Sequence, residues 1–289
     1  MNNLFLVTGS SGFIGSHVSD ILTNKGYIVK LFDKKISKYK KKNQKMILGD
    51  INDQKDLNKA TKNVHTVFHF AAKADLVDAN KEPFHTIEDN IQATIKIFKA
   101  SLKNNVKKIV FASSIYARSE QGGIYSTSKL AAEMILERLC EKYKIKFVIL
   151  RFGTVYGERG NKFNTVNNFI VDAKKRKKIY RGTKGNEIRS YIHVKDVAKI
   201  VYKSIQKKYE NNHINVLGSK KITIKKLLNM LKKKVPKLKI FYSKKNNRMY
   251  NYKVNPFTYK IRKGKTIRLK KYIKLTDGLS NLIRMQNIN

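Results

Sequence analysis

The stretch Val7-Thr8-Gly9-Ser10-Ser11-Gly12-Phe13-Ile14-Gly15 decides the fold of this 289-residue chain. Before it lies a short apolar run, Leu4 to Val7, that reads as a buried strand. After it, Ile14, Val18, Ile21 and Leu22 recur at helical spacing. Strand, glycine turn and helix in that order make a cradle for a pyrophosphate. The glycines permit close approach of the backbone, and the helix N-terminus offers unpaired N–H groups at the positive end of its dipole. Gly9, Gly12, Phe13, Ile14 and Gly15 are therefore candidate cofactor contacts.

Working outward, the same alternation continues. Ile28–Phe32, Met46–Leu48, Val67–Phe70, Ile109–Ala112 and Phe147–Leu150 read as further strands. Helical spacing marks Gly12 to Asn24, Gln54 to Thr61, Asn90 to Leu102 and Ser126 to Tyr143. Strands alternating with helices predict an α/β fold, a Rossmann-type doubly wound parallel sheet. The cofactor then lies outside the C-terminal strand ends. After about Gly157 the pattern loosens. Short strands near Ser190–Val194 and His213–Val216 mix with what read as short helices, and the sequence beyond Lys237 carries little pattern. The expected division is a dinucleotide-binding domain over 1–157 and a smaller mixed C-terminal substrate region over 158–289. Segments near 190–217 are expected to return to the first domain. Met230 and Leu231 read as core residues.

The chain carries 63 Lys and Arg against 20 Asp and Glu, a net charge of +43. A nucleic-acid binder would show such an excess. Here, however, it is mostly lysine, accompanied by many asparagines and isoleucines, and it runs along the whole chain in separate clusters such as Lys40–Lys42, Lys174–Lys178 and Lys232–Lys234. That pattern reads as a bias of overall composition, with no specific nucleic-acid partner. The field would still attract anionic substrates. The single cysteine, Cys140, fits a small buried apolar role and a reducing cytoplasm. No apolar stretch reaches the length of about 18 residues that a membrane-spanning helix needs. The first strand begins almost at the N-terminus and leaves no room for a signal peptide. The expectation is a cytoplasmic protein without membrane insertion, and no metal-ligand pattern stands out.

Two constellations carry chemistry. The second strand ends in Asp33, where a carboxylate accepts the ribose hydroxyls of an adenosine and repels a 2′-phosphate. Asp33 thus favours NAD over NADP, although Lys34 and Lys35 act against that preference. Asp50 and Ile51, after the third strand, are candidates for the adenine side; for Asp50 the alternative is an N-cap for the helix near Gln54. The other constellation is Tyr125-Ser126-Thr127-Ser128-Lys129. Its Tyr and Lys, four residues apart, share a helix face. An ammonium group there, with a cationic cofactor ring, would lower the tyrosine pKa toward working pH and make it a base for an alcohol proton. Ser113 and Ser114 close a predicted strand just before, where a hydroxyl can orient that alcohol.

Taken together, these residues resemble the extended short-chain dehydrogenases/reductases of the NAD-dependent epimerase/dehydratase family, which act mainly on nucleotide sugars. The glycine turn has that family's G-x-x-G-x-x-G spacing. His69-Phe70-Ala71-Ala72-Lys73-Ala74 resembles the family stretch that lines the cofactor. Pro83 and Asn90 fall where the family has a proline and an asparagine. Ile109 to Ser114 resembles the strand carrying the catalytic hydroxyl. Arg151-Phe152-Gly153-Thr154-Val155-Tyr156-Gly157 and Arg189 to Ala198 resemble two later blocks. The resemblance covers Met1 to about Lys234.

It implies Ser114, Tyr125 and Lys129 as catalytic residues, and Ala71, Ala72, Lys73 and Asn90 as further cofactor contacts. It also implies Arg189, Ser114 and Thr154 as substrate contacts. His69, His193 and Asp196 are read as structural, Asp196 as the cap of the helix that follows.

Three departures narrow the activity. Ile115 and Tyr116 stand where dehydratases carry an acid–base pair, which disfavours water loss. Thr154 replaces a sugar-contacting asparagine. Ser114 and Tyr125 are only 11 residues apart, so the loop over the sugar is short. A late arginine motif is not distinct, and Arg248 is the candidate for it. The expectation is an NAD-dependent UDP-hexose 4-epimerase-like enzyme, forming a transient keto-sugar and returning hydride to it. An NAD(P)H-dependent nucleotide-sugar reductase or dehydrogenase is the alternative. A basic RNA-associated protein without catalysis is the distant one. The resemblance further implies a homodimer built on a helix pair that includes the helix of Tyr125.

Overall fold

Strands buried on both faces read as continuous apolar runs, because neighbouring side chains point to opposite sides and both sides need cover. The computed structural model, which describes residues 4–119, 122–161 and 163–243, shows this directly: Phe5, Leu6 and Val7 are all buried, Leu6 in one cluster and its two neighbours in another. Arg248 and the poorly patterned sequence around it lie outside the described residues.

The first half runs β1 (Leu4–Thr8), α1 (Phe13–Asn24), β2 (Ile28–Asp33), β3 (Gln44–Leu48), α2 (Gln54–Thr61) and β4 (Thr66–His69). Then come α3 (Leu76–Lys81), α4 (Pro83–Ile87), a π-helical turn over Glu88–Gln92, α5 (Ala93–Lys103) and β5 (Lys108–Ser114). A tight turn over Ile115–Arg118 leads to α6 (Gly123–Tyr143), β6 (Lys146–Phe152) and β7 (Thr154–Tyr156). The remainder is α7 (Thr165–Arg176), β8 (Lys178–Arg181), β9 (Ile188–His193), α8 (Val194–Ser204), β10 (Asn212–Val216), β11 (Lys221–Thr223), α9 (Ile224–Lys234) and β12 (Lys239–Tyr242).

The seven-stranded sheet has the order β10-β6-β5-β4-β1-β2-β3, and every pairing in it is parallel. This is the doubly wound α/β fold expected from the alternation. The strand order reverses between β1 and β4, the point at which such sheets open a crevice at their C-terminal strand ends. One face packs Leu6, Leu57, Ile97, Phe98, Ile109, Leu136 and Cys140 under α2, α5 and α6. The other packs Val18, Leu22, Phe68, Val148, Val197 and Val201 under α1 and α8. Cys140 is buried in the first cluster, as read, and burial pushes its thiol up to about 12.

Beyond β7 the chain builds two small sheets, β11-β9-β7 and β12-β8. A third core of Phe169, Ala173, Ile179, Ile224, Leu228 and Leu238 joins α7, β8 and α9. β10 returns to pair with β6 in the main sheet. The later helices are not short: α7, α8 and α9 have 12, 11 and 11 residues. Their apolar stripes are narrow and lysine-flanked, which hid them from the periodicity. On α9 only Ile224 and Leu228 are buried; Leu231 packs against that core, but Met230 is 51% exposed and is no core residue.

Candidate active site

The glycine turn is fixed by contact. A Cβ on Gly15 would sit 2.2 Å from the Gly9 carbonyl oxygen. Gly9 has φ +66°, and a Cβ there would lie 2.7 Å from the Ala71 nitrogen. The first and last glycines therefore let the turn fold on itself and against the end of β4. Gly12 caps α1, donates its N–H to the Gly9 carbonyl at 3.1 Å, and has no side-chain hydrogen bond serving as a cap. The contrast with α2 and α3 is direct: Asp53 and Asp75 occupy the first N–H groups of those helices. Beside the open α1 terminus the Ser10 hydroxyl is buried with no hydrogen-bond partner among the described residues. A bare helix N-terminus, a glycine cradle and an orphaned hydroxyl fit the pyrophosphate of a dinucleotide.

Asp33 ends β2 next to this turn. Its carboxylate accepts from the Ser11 N–H at 3.0 Å and the Lys35 N–H at 3.1 Å. It is thus aimed at the cradle, while Lys34 and Lys35 are exposed. Asp50 is exposed and accepts from the Asn52 N–H at 2.8 Å. It does not cap α2: Asp53 does, accepting from Lys55 and Asp56. Three residues separate the two candidates, and only the one at the helix start can reach the N2 and N3 donors. Ile51 packs against the first core.

The segment after β4 is held from below. Thr8 Oγ1 accepts from the N–H groups of Phe70 and Ala71, both at 3.2 Å, and meets His69 Nδ1 at 3.0 Å. His69 Nε2 lies 3.2 Å from Thr94 Oγ1. Burial, with Lys129 nearby, drives His69 down to about 3, so it is a neutral structural group, as read from the sequence. Asn90 turns its amide inward from the π-helical turn. It accepts from the Lys73 N–H at 2.9 Å and donates to the Lys73 carbonyl at 3.1 Å and to Ser128 Oγ at 2.9 Å. These bonds place Asn90 behind the cleft, clamping the Ala71–Lys73 segment to α6. The Lys73 ammonium pairs with Glu82.

Ser114 closes β5, and Tyr125 and Lys129 lie in α6, which begins two residues before Tyr125. All three are buried. The Ser114 hydroxyl accepts from the Tyr116 N–H at 3.2 Å and lies near enough to Tyr125 to act on its proton affinity. Burial raises Tyr125 to about 12; the Ser114 hydroxyl opposes the rise only in part, and Tyr116 adds to it. A phenolate in this enclosed place loses its water, and that cost exceeds what one hydroxyl returns. The Lys129 ammonium donates to the Ala112 carbonyl at 2.9 Å and sits 5.0 Å from the Phe111 ring. Burial brings it down to about 8, with Glu133 holding it up.

On the opposite side, β7 and β9 pair in parallel with Thr154 against Tyr191. Arg189 is 9% exposed, two residues before Tyr191 on the same strand face, and donates to the Ile188 carbonyl. Tyr191 is pushed up to about 12 by burial, eased by Arg189 and Arg181. Tyr116 adds slightly to the rise of both Tyr191 and Tyr125. Tyr191 is not singled out in the sequence, although it stands inside the stretch quoted for Arg189, and Tyr116 reads only as a departure from an acid–base pair. His193, not Asp196, caps α8, accepting from the Lys195 N–H; Asp196 sits in the first turn and pairs with Lys199. Ser113 donates to Glu133 on α6.

No group of three His, Cys, Asp or Glu residues that could hold a metal occurs among the described residues, and no described helix is long and apolar enough to cross a membrane.

Comparison with known proteins agrees with this geometry. The family model described as "NAD dependent epimerase/dehydratase family" matches residues 5–217. A putative UDP-glucose 4-epimerase of Methanocaldococcus jannaschii is 27% identical over 99% of this chain and 99% of its own. A UDP-glucose 4-epimerase of Thermotoga maritima, solved with UDP-glucose, superimposes with a TM-score of 0.78 at 26% identity over 85% of this chain and 87% of that one. A UDP-N-acetylglucosamine 4-epimerase of Methanobrevibacter ruminantium, in complex with UDP-N-acetylmuramic acid, gives a TM-score of 0.77 at 28% identity over 84% and 86%.

Proposed function

Because this chain belongs to the NAD dependent epimerase/dehydratase family, we propose that it is a UDP-hexose 4-epimerase-like enzyme using NAD. One observation carries the reading: Ser114, Tyr125 and Lys129 are buried together where β5 ends against α6, with Ile115 and Tyr116 in the place of an acid–base pair. That set can move a proton on and off a sugar hydroxyl, and it lacks the pair needed to expel water. The 27% identical relative, named a putative UDP-glucose 4-epimerase, and the neighbour solved with UDP-glucose support the nucleotide and the sugar class.

NAD, when bound, supplies a hydride acceptor and donor and a cationic ring beside the phenol. Tyr125 takes the proton of the sugar hydroxyl and later gives it back. Ser114 orients the oxygen. Lys129 holds the cofactor ribose and, as a cation, favours the phenolate that burial opposes. Arg189 grips the pyrophosphate of the nucleotide sugar while the sugar turns, a task suited to a planar fork of donors. Thr154 contacts the sugar. Gly9, Gly12, Phe13, Ile14 and Gly15 hold the dinucleotide phosphates, Asp33 the adenosine ribose, and Asp50 and Ile51 the adenine side. Asp33 at the end of β2 selects NAD over NADP.

The enzyme works as a homodimer through α5 and α6, whose Leu102 and Met134 are exposed apolar residues, 37% and 57%. Sedimentation of Met134→Glu should give a monomer; an unchanged dimer would place the contact elsewhere. The activity itself is tested by incubating the protein with NAD and UDP-, GDP- and dTDP-sugars and identifying products by NMR. The 4-epimer of a UDP-hexose should form with no net gain or loss of reduced cofactor. Stoichiometric consumption of NADH or NADPH would instead establish the reductase.

A further inference from the structure

Behind the catalytic residues lies a buried charge network that the chemistry above does not use. Glu133 has no exposed surface, yet it lies one helical turn beyond Lys129 on α6. It accepts a two-pronged contact from Arg151, Nε to Oε1 at 3.0 Å and Nη2 to Oε2 at 2.6 Å, and a hydrogen bond from Ser113. Ser113 is the neighbour of Ser114 on β5 and stands opposite Arg151 on β6. Arg151 also meets His213 on β10, and His213 faces Glu137. Three strands of the main sheet and α6 thus meet in one network around the Glu133 carboxylate.

Buried ion pairs are poor stabilisers: apolar residues of the same size often serve as well or better, because both charges lose water. A Glu–Arg pair whose carboxylate is fully buried under a catalytic lysine therefore calls for another role. Lys129 is itself buried. It faces the Ala112 carbonyl and the Phe111 ring on β5, the neutral His69 on β4, and Glu133 on its own helix, with Arg151 and His213 behind that carboxylate. Of these charged groups only Glu133 opposes the loss of the lysine's proton.

We propose that the Glu133–Arg151 pair is a positioning device of the active centre, with Arg151 fixing the Glu133 carboxylate where it keeps Lys129 cationic. The proposal rests on the role given to Lys129 above. Burial lowers Lys129 and Glu133 opposes that lowering, which leaves it at about 8.

The test is the pH dependence of NADH binding to the full-length protein, followed by the fluorescence of the bound cofactor, beside the pH profile of turnover. Wild type should lose affinity on the alkaline side as Lys129 gives up its proton, and Lys129→Met should remove that limb. In Glu133→Gln the limb should move to lower pH by about one unit or more, because the counter-charge is gone. The paired variant Glu133→Gln/Arg151→Met leaves no guanidinium without its carboxylate and should shift the limb in the same direction if the single variant does not fold. A merely structural pair would weaken binding equally at every pH. An alkaline limb that vanishes with Lys129 but stays in place in both Glu133 variants would overturn the proposal and leave the role of Lys129 standing. A limb that survives Lys129→Met would overturn both.

Discussion

Single residues decide whether this site can work, and they differ in how plainly the sequence announces them. Gly9 and Gly15 are legible because their constraint is covalent geometry: only a residue without Cβ fits 2.2 Å from a carbonyl oxygen. Gly15→Ala should therefore weaken NAD binding at least tenfold and lower the melting temperature; unchanged affinity by calorimetry would show that the turn adjusts. The proton affinity of Tyr125 was not legible. The motif tells of a lysine four residues on, but not of the burial that the packing of α6 on the turn after Ser114 imposes.

His69 shows the same influence with a clear sign. Its folded-state value, about 3, lies below the ordinary 6.5. As pH falls below about 6.5 the unfolded chain takes up a proton that the folded one refuses, so stability is full above that value and declines toward pH 3. Urea titrations of wild type and His69→Asn should diverge in slope across that window; parallel curves would mean that His69 is protonated in the folded state.

Elements bring together what the sequence keeps apart. Glu133 and Arg151 are 18 residues apart, and only the β5–β6 register with α6 above it makes them a pair. No local pattern contains that fact. The first-half strands were legible to within a few residues because both faces are buried, whereas α7, α8 and α9 were obscured by lysines around narrow apolar stripes. The π-helical turn at Glu88–Gln92 was hidden in what read as one helix beginning at Asn90. Its contribution is to aim Asn90 inward at Lys73 and Ser128. Asn90→Ala should cost about 1–3 kcal/mol through the backbone groups left without partners. It should also raise the KM for NAD as the Ala71–Lys73 segment loosens. A stability within about 0.5 kcal/mol of wild type, a range ordinary for surface changes, would show that the clamp is replaced by water.

At the scale of the molecule, a charge of +43 acts on an anionic substrate before any contact forms. Between about 0.01 M and about 0.15 M ionic strength the screening length falls from about 30 Å to about 8 Å. The KM for a UDP-sugar should rise several-fold over that range while kcat changes little; a salt-independent KM would make the charge irrelevant to substrate capture. The fold and the family reading both rest on the glycine turn and the Ser114–Tyr125–Lys129 set, and the chemistry rests on the phenol among them. The most direct measurement is the rate at which NAD-loaded Tyr125→Phe interconverts UDP-glucose and UDP-galactose. A loss of about 10²–10⁴-fold, the usual worth of a positioned acid–base group, with the fold and NAD content unchanged, is the predicted result. Interconversion at the wild-type rate would contradict it.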